Sequence, residues 1–394
     1  MEMMKRALLV LLGSVWIASS IFGAAQQPKV QVSAWYWLNS APKTDWENDF
    51  AEMKRLGFTD VLMCWGVDLA GIATRKRDTL EAMKYAHAHG LGIYLIVWQP
   101  SANSLPRNPD FMQITAAGKV LDTFDVFNRE WRNSEWKHYL QDVALTYRGV
   151  PGFRGYAFDD SFGGDEFVSY GPWEKKAFGT PLPQKPGDTR WDDWVKARNG
   201  WWEEWAVDTV KFIRDIDPNP AHILYVEDFI GSITNPEKPA HLGLDLGRVF
   251  KHFDAVGGYT MSSWTADADS SARVAKSNAE AIETVRKLVG PHKRVIFTFW
   301  TANESEERLP GPAKHPSAGE IIAICRIVLS LGIHHLDMYG YRIGEYRATR
   351  QEMHDLVPPE PAPYRVTGQF PQKFLYDRPK VKDELSRYLH SLNP

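Results

Sequence analysis

Eight short apolar runs alternate with helical patterns along this chain, and this alternation constrains the fold more than any other feature. Most runs are apolar at nearly every position, which is typical of parallel strands buried on both faces. The runs are Val30–Leu38, Thr59–Gly66, Gly92–Trp98, Arg154–Phe158, His222–Glu227, Ala255–Met261, Arg294–Trp300 and His334–Tyr341. Eight such strand–helix units predict an α/β fold, the (β/α)8 or TIM barrel.

Helical patterns fill the intervals between these runs. They are predicted over Trp46–Leu56, Thr79–His89, Glu135–Tyr147, Arg190–Ile216, Leu246–Phe253, Ala272–Leu288 and Ala318–Leu331, with a last helix at Lys380–Leu392. Gly57, Gly90, Gly149 and Gly332 stand just before strands. We expect these glycines to end helices in the left-handed conformation.

The chain is longer than a minimal barrel of this kind. It has 394 residues, against about 250 in a typical (β/α)8 barrel. The surplus lies after strands, at about 100–133, 161–190, 229–244 and 301–317. We therefore predict long βα loops, which form the catalytic face of such barrels. A doubly wound open sheet is the alternative, but no GxGxxG motif follows the first strand.

The N-terminus has the features of a secretory signal. Lys5 and Arg6 precede the apolar stretch Ala7–Gly23, and small residues follow at 23–25. Residues 1–25 are therefore predicted to be a cleaved signal peptide, which leaves 26–394 as a single catalytic barrel domain. An uncleaved anchor is the alternative, because the apolar run approaches membrane length. We expect a periplasmic or extracellular protein with no stable membrane insertion after cleavage.

Charge and cysteine content exclude several functions. The net charge of −3 does not indicate a basic partner surface, so we expect no nucleic-acid partner. The two cysteines, Cys64 and Cys325, lie in apolar strand and helix patterns and are predicted to be buried free thiols. The chain has no CxxC or HExxH motif, so we expect no metal and no cofactor.

Tryptophan is unusually frequent. Of sixteen tryptophans, several stand where strands should end: Trp35, Trp37, Trp65, Trp98, Trp264 and Trp300. Aromatic rings at the mouth of a barrel can stack on sugar rings, and they can equally fill a core. Their recurrence at strand ends predicts a carbohydrate substrate, with these six residues as candidate contacts.

Two adjacent carboxylates end the fourth strand run. Asp159 and Asp160 follow Gly155–Phe158 and precede a turn. Because neighbouring strand residues point to opposite faces, only one of the two should face the barrel interior. Carboxylates at the C-terminal ends of barrel strands are typical of catalytic sites, although Asp also caps turns.

The region from Val30 to Tyr346 resembles glycoside hydrolases with a (β/α)8 barrel. The pattern Trp46-x3-Phe50-x2-Met53-Lys54-x2-Gly57-Phe58-Thr59 is similar to family 42 β-galactosidases. In that family the segment at 159–163 reads Asp-Asn-Glu-Tyr-Gly, and its Glu is the acid/base. This chain has Ser161 at the position of that Glu and Asp160 at the position of the Asn.

A second resemblance is to retaining α-glycosidases of the α-amylase and dextranase type. These enzymes place an Asp nucleophile after strand four and a Glu acid/base after strand five. By this resemblance Asp159 is the nucleophile and Glu227 the general acid/base, with Asp160 in reserve for either role. Retaining hydrolysis needs two carboxyl groups about 5–5.5 Å apart, one ionised and one protonated.

Four further acidic positions and one tyrosine are candidates. Glu304 follows the seventh strand, where relatives of family 42 carry a nucleophilic Glu. Asp337 lies inside the eighth strand and either braces the site or binds a sugar hydroxyl, and Tyr339 is a candidate for the pocket lining. Asp267 and Asp269 follow the sixth strand and are second choices for the acid.

We therefore predict a secreted glycoside hydrolase acting on a poly- or oligosaccharide, without cofactor. A family 42-like β-glycosidase with Glu304 as nucleophile is one alternative. A non-catalytic carbohydrate-binding barrel and a metal-dependent hydrolase are the others.

Overall fold

The computed structural model of the chain defines the barrel and most of its helices. It describes residues 29–65, 71–97, 108–159, 170–218, 222–227, 245–260, 270–290, 292–301, 315–342 and 375–393. The predicted signal segment at 1–25 lies outside these residues, so cleavage and export stay predictions. Within the described residues, no helix is both long and apolar enough to cross a membrane.

Eight parallel strands form a closed barrel, which confirms the predicted (β/α)8 fold. In chain order the barrel strands are β1 (Gln31–Trp37), β2 (Asp60–Cys64), β3 (Gly92–Val97), β6 (Phe153–Phe158), β7 (His222–Glu227), β8 (Ala255–Thr260), β9 (Arg294–Trp300) and β10 (His335–Arg342). Each pairs with the next, and β10 closes the barrel on β1. Two short strands, β4 (Met112–Ile114) and β5 (Val120–Phe124), form a separate antiparallel hairpin.

Alternate residues of the barrel strands face two different cores. The inner core contains Trp35, Leu62 and Ala157, which lie inside the barrel. The outer core contains Val61 and Phe158, which pack between the barrel and its helices. Both faces are therefore apolar, which explains why the strands appear in the sequence as continuous apolar runs.

Helices surround the barrel in the intervals that the sequence predicts. They are α1 (Lys43–Leu56), α2 (Gly71–Thr74), α3 (Lys76–Ala88), α4 (Arg129–Trp131), α5 (Lys137–Tyr147), α6 (Pro172–Phe178), α7 (Trp191–Ile216), α8 (Leu246–Phe250), α9 (Ser270–Val289), α10 (Ala318–Ser330) and α11 (Pro379–Leu392). One π-helical turn, Arg132–Trp136, joins α4 to α5. The four glycines predicted to end helices all have positive φ, between 73° and 103°.

Helix α1 shows how such an end is built. Phe50, Met53 and Leu56 form its buried face. At Gly57 the backbone turns left-handed, and the Gly57 N–H donates to the carbonyl oxygen of Lys54 at 3.0 Å. This turn directs the chain straight into β2.

The segments after β3 and β6 pack on each other. The backbone N–H of Tyr170 donates to the carbonyl of Ile114 in the hairpin at 2.7 Å. Tyr170, Leu182 and Trp194 form a small core of their own. The sequence predicts long loops here, and the structure shows that parts of them are folded.

Both cysteines are free and buried, as the sequence predicts. Cys64 lies in the inner core, and Cys325 lies in the outer core on α10. C-terminal helix α11 packs against α1 and α10. The side chain of Asn393 accepts from the N–H of Val30 at 3.0 Å and donates to its carbonyl at 2.8 Å.

Candidate active site

Three of the predicted aromatic residues meet inside the barrel at the C-terminal ends of the strands. The ring of Tyr339 lies 4.9 Å from that of Trp35 and 4.3 Å from that of Trp300, measured between centroids. The three side chains come from β1, β9 and β10, which are neighbours in the barrel. We call this group the aromatic floor; its members come from strand ends that the sequence marks as a candidate sugar site.

Trp300 is the member of the aromatic floor with a free polar group. It is 4% exposed, and its indole Nε1 has no hydrogen-bond partner among the described residues. A buried N–H of this kind usually finds an acceptor. A sugar hydroxyl is one group that could accept from it. Trp37, another predicted contact, also lies in the inner core, beside Cys64.

Asp159 stands at the same end of the barrel. It follows β6, the fourth barrel strand, and is 2% exposed. Ala157 belongs to the inner core and Phe158 to the outer core, so strand alternation directs Asp159 inward. Asp159 is thus a buried carboxylate at the mouth of the barrel. Its neighbour Asp160 lies outside the described residues.

The backbone places Glu227 at the same end of the barrel as Asp159, but at a register position of the outer series: it is two residues from Tyr225, whose strand neighbours Phe158 and Val256 both belong to the outer core. Glu227 is the last residue of β7, the strand next to β6, and Phe158 pairs with Tyr225. On the other side, Glu227 pairs with Gly258 of β8. The structure describes the backbone of β7 and not its side chains, so the distance between the Asp159 and Glu227 carboxyl groups stays a prediction.

Asp337 is held in the middle of the barrel by three donors. Its Oδ1 accepts from the Ser33 hydroxyl at 2.5 Å. Its Oδ2 accepts from the Trp35 indole and from the Thr298 hydroxyl, each at 2.7 Å. Both carboxyl oxygens are therefore used by the protein, which favours the bracing role over binding of a sugar hydroxyl. Through Trp35, Asp337 fixes one ring of the aromatic floor.

A line of hydrogen bonds continues from Asp337 toward the N-terminal end of the barrel. Nη2 of Arg294 lies 2.7 Å from Nδ1 of His335, and Nε2 of His335 lies 2.9 Å from the Ser33 oxygen. Arginine can only donate, so Nδ1 accepts and Nε2 carries the ring proton. His335 then donates to Ser33, and Ser33 donates to Asp337. Each hydrogen bond in this series is therefore donated toward the Asp337 carboxylate.

Burial has a clear effect on the Asp337 carboxyl. Removal from water raises the pKa of Asp337 to about 6, although the hydrogen bonds from Ser33, Thr298 and Trp35 act in the opposite direction. Desolvation disfavours the charged form of a carboxyl group. The three donors therefore stabilise an anion that the barrel interior would otherwise protonate.

Trp65 has a different position from the other tryptophans. It belongs to the outer core, 6.0 Å from Trp46 between ring centroids. Its Nε1 donates to the Thr79 hydroxyl at 2.9 Å, and the guanidinium of Arg75 lies over its ring. The prediction that Trp65 contacts substrate is therefore wrong: strand alternation turns its ring away from the mouth and into the helix layer.

The remaining candidates fall outside the described residues. These are Trp98, Trp264, Glu304, Asp267 and Asp269. Their roles stay predictions from the sequence. Within the part of the chain that the structure does describe, no three His, Cys, Asp or Glu side chains are grouped in a way that could hold a metal ion.

Sequence reasoning missed the polar partners of Asp337. Ser33, Thr298 and His335 are all buried. The spacing of His335, Asp337 and Tyr339 in β10 is a signal that could have found one of them. Residues two apart on a strand share a face, so His335 had to lie on the same face as Asp337, whereas Ser33 and Thr298 come from other strands.

Comparison with known proteins supports the architecture. No protein-family model and no curated protein matches the chain. Among solved structures, it is similar to the β-galactosidase of the psychrophilic bacterium Marinomonas ef1, with a TM-score of 0.63 and 12% identity over 92% of this chain and 59% of that one. The β-galactosidase of the haloarchaeon Halorubrum lacusprofundi gives a TM-score of 0.65 and 14% identity, over 92% of this chain and 58% of that one.

A third solved structure covers a matching length. The PgaB (BpsB) glycoside hydrolase domain of Bordetella bronchiseptica gives a TM-score of 0.60 and 14% identity, over 84% of this chain and 98% of that domain. The chain spans under three fifths of either β-galactosidase. At these identities the likeness establishes the fold, the (β/α)8 barrel that these glycoside hydrolases share.

Proposed function

We propose that this protein is a glycoside hydrolase that cleaves a poly- or oligosaccharide with a pair of carboxylates. The observation that carries the proposal is Asp159, a buried carboxylate at the C-terminal end of the fourth barrel strand. The C-terminal face is the catalytic face of (β/α)8 barrels. The aromatic floor at the same end supplies rings on which a sugar can stack.

The solved structures with this fold support the class of reaction. Two of them are β-galactosidases and a third is a glycoside hydrolase domain. Fold alone does not determine function, so the proposal depends on the site as well. The described part of the site that supports it is one buried carboxylate, Asp159, and an aromatic surface at the same end of the barrel.

In the proposed mechanism Asp159 attacks the anomeric carbon and forms a covalent glycosyl intermediate. Glu227 first protonates the leaving oxygen and then activates the water that releases the sugar. The acid needs a raised pKa, which proximity to a second carboxylate provides. Asp160 is the alternative for either role. Trp35, Trp300 and Tyr339 orient the sugar by stacking.

A β-glycosidase with Glu304 as nucleophile is the second candidate. The two β-galactosidases of the same fold favour it. In that case Glu304→Gln abolishes turnover, whereas Glu227→Gln leaves most of it. The two candidates also differ in the anomer that they cleave.

We further propose that the protein acts after export, in the periplasm or outside the cell. The N-terminal pattern at 1–25 supports this location. Polysaccharides accumulate outside the cell, so an exported hydrolase would meet them there. N-terminal sequencing of the protein from culture medium or periplasm should begin at Gln26, and an unprocessed Met1 would contradict cleavage.

A hydrolysis screen tests the proposed function. Purified protein is assayed on α- and β-linked aryl glycosides and on glycans, beside Asp159→Asn, Glu227→Gln and the control Asp383→Asn. Asp383 is an exposed carboxylate on α11, so its loss should leave the rate unchanged. We expect the Asp159 variant to lose several orders of magnitude in rate.

Two results would go against the proposal. Full activity in the Asp159 variant would remove this residue from the reaction. Binding of glycans without release of any sugar would identify a carbohydrate-binding barrel instead of an enzyme.

A further inference from the structure

A cavity lies at the N-terminal end of the barrel, opposite the candidate active site. Its volume is about 260 Å³, and the starts of β9 and β10 form its wall. It is lined by Lys29, Gln31, Arg286, Lys293, Arg294, Val295, Gly332, Ile333, His334 and His335. This volume is just below the range of about 300–1,000 Å³ for drug-sized ligands, so it suits a small molecule.

The lining of this cavity is strongly basic. Four of its ten residues are permanent cations at neutral pH, namely Lys29, Arg286, Lys293 and Arg294, and none is Asp or Glu. Such a surface concentrates anions from solution. We call this group the basic cavity.

The cations of the basic cavity are held by neutral acceptors. Arg286 donates to the carbonyl of Gly332 at 3.3 Å. Lys293 donates to the carbonyls of Lys251 and Phe253, at 3.1 and 2.6 Å. These contacts fix the side chains without cancelling their charge.

Arg294 is also held by neutral acceptors, because it donates to the side chains of Gln31 and His335. Within the described residues, none of the four cations lies within 4 Å of a carboxylate oxygen. The carboxylate that acts on Lys293 from a distance is Asp254, and Asp254 itself pairs with Arg214.

From this arrangement we infer that the basic cavity binds the phosphate group of a small phosphate-bearing molecule. A phosphate monoester carries close to two negative charges at neutral pH and several strong acceptor oxygens. Arginine matches its geometry with paired N–H donors, and lysine adds point charge. A ligand that carried one carboxylate in place of the phosphate would bring only one negative charge to the four cations.

This site is separate in position from the proposed hydrolytic site, and neither proposal rests on the other. The basic cavity opens at the N-terminal ends of the strands, whereas Asp159 and the aromatic floor lie at the C-terminal ends. A failed hydrolysis screen would therefore leave the inference untouched, and a failed phosphate titration would leave the proposed hydrolase untouched.

Calorimetric titration of the purified protein tests the inference with three probes. These are inorganic phosphate, glucose 6-phosphate and glucose. We expect saturable binding of the phosphates with a Kd on the order of 1 mM or tighter, and no binding of glucose at this site. Tighter binding of glucose 6-phosphate than of phosphate would identify a sugar phosphate as the source of the group, and equal binding would identify the free ion.

Matched variants locate the binding. Arg286→Gln and Lys29→Gln should each weaken phosphate binding by about tenfold. Lys287→Gln removes the same charge one residue away on α9, from an exposed position outside the cavity lining, and should change binding by less than about twofold. Circular dichroism confirms that each variant is folded.

Either of two results would overturn the inference. One is the absence of saturable phosphate binding up to about 20 mM, a concentration far above the expected Kd. The other is an equal loss of binding in Lys287→Gln and Arg286→Gln, which would show a diffuse charge effect in place of a site.

Discussion

The carboxylate of Asp337 on β10 accepts a hydrogen bond of 2.7 Å from the indole N–H of Trp35 on the neighbouring strand β1. This bond connects the buried polar line to the aromatic floor. We predict that Asp337→Asn lowers the free energy of unfolding by about 1–3 kcal/mol, because an amide cannot accept from all three donors that surround it. Urea unfolding of both proteins measures the difference.

The control for this substitution is Ser33→Ala, which removes one of the three donors and should cost about 1 kcal/mol. The effect also has a defined pH dependence. The folded pKa of Asp337 is raised to about 6, so the contribution of its protonation to stability is present at low pH and is lost as pH rises through 6. An unfolding free energy that is the same in Asp337→Asn and wild type at every pH would contradict the described network.

Trp300 and Trp65 provide a matched test of the aromatic floor. Both are 4% exposed, but only the indole of Trp65 has a protein acceptor, Thr79. We predict that Trp65→Phe lowers stability by about 1 kcal/mol and leaves KM unchanged. Trp300→Phe should change stability by less and raise KM by several fold, because it removes an N–H that the sugar can use.

Steady-state kinetics on the substrate from the screen, together with thermal unfolding, measures both effects. An unchanged KM in Trp300→Phe would remove this residue from the proposed sugar site. A raised KM in Trp65→Phe would contradict its assignment to the outer core.

Asp125 and Glu174 form a buried acidic pair in the folded segments above the barrel. Burial, and next to it the charge of Glu174, raise the pKa of Asp125 well above its usual range. Nearby, the guanidinium of Arg198 is also fully buried and balances one negative charge of the pair. Burial and the charge of Glu174 both favour the protonated form of the Asp125 carboxyl.

A raised folded pKa means that Asp125 stabilises the protein most below its unfolded pKa of about 3.9, and that this stability is lost as pH rises through the folded pKa. Asp125→Asn keeps a donor to Glu174 and does not titrate. We predict that the stability of the variant relative to wild type increases as pH rises above the unfolded pKa. Asp215→Asn, at an exposed carboxylate on α7, should show no such trend; parallel pH curves for Asp125→Asn and wild type would contradict the raised pKa of Asp125.

Gly92 makes room for an ion pair between the buried Asp60 and the partly exposed Arg154 at the base of the barrel. A Cβ at this position would overlap Nε of Arg154 and Oδ1 of Asp60, two atoms that lie 3.1 Å apart. Gly92→Ala should therefore lower the free energy of unfolding by about 1–3 kcal/mol through overpacking.

The control is Gly200→Ala in helix α7, where an added Cβ meets no atom within 4 Å. It should raise the free energy of unfolding by about 0.5–1 kcal/mol. Equal effects of the two substitutions in chemical denaturation would contradict the packing around Gly92.

The barrel could be predicted from the sequence because its signals are local and repeated. All eight strand runs and the four helix-ending glycines are where the sequence predicts them. The face of each tryptophan could not be predicted in the same way. The strands are apolar on both sides, so nothing in the sequence around Trp35 and Trp65 indicates which ring faces inward.

The site was predicted in part. Asp159 could be found because it ends a buried strand with a charge. The β4–β5 hairpin could not, since its strands have three and five residues and its pairing depends on contacts within a long loop. The donors to Asp337 come from two other strands, β1 and β9, and the pairing of both strands with β10 is what brings Ser33 and Thr298 beside it.

The most direct test of the proposed mechanism is to locate the covalent intermediate. The protein is incubated with a 2-deoxy-2-fluoro glycoside of the sugar identified by the screen, and the labelled peptide is mapped by mass spectrometry. The account predicts one adduct per chain, on the peptide that contains Asp159, and none in Asp159→Asn. An adduct on the peptide that contains Glu304 would contradict it and establish the β-glycosidase alternative.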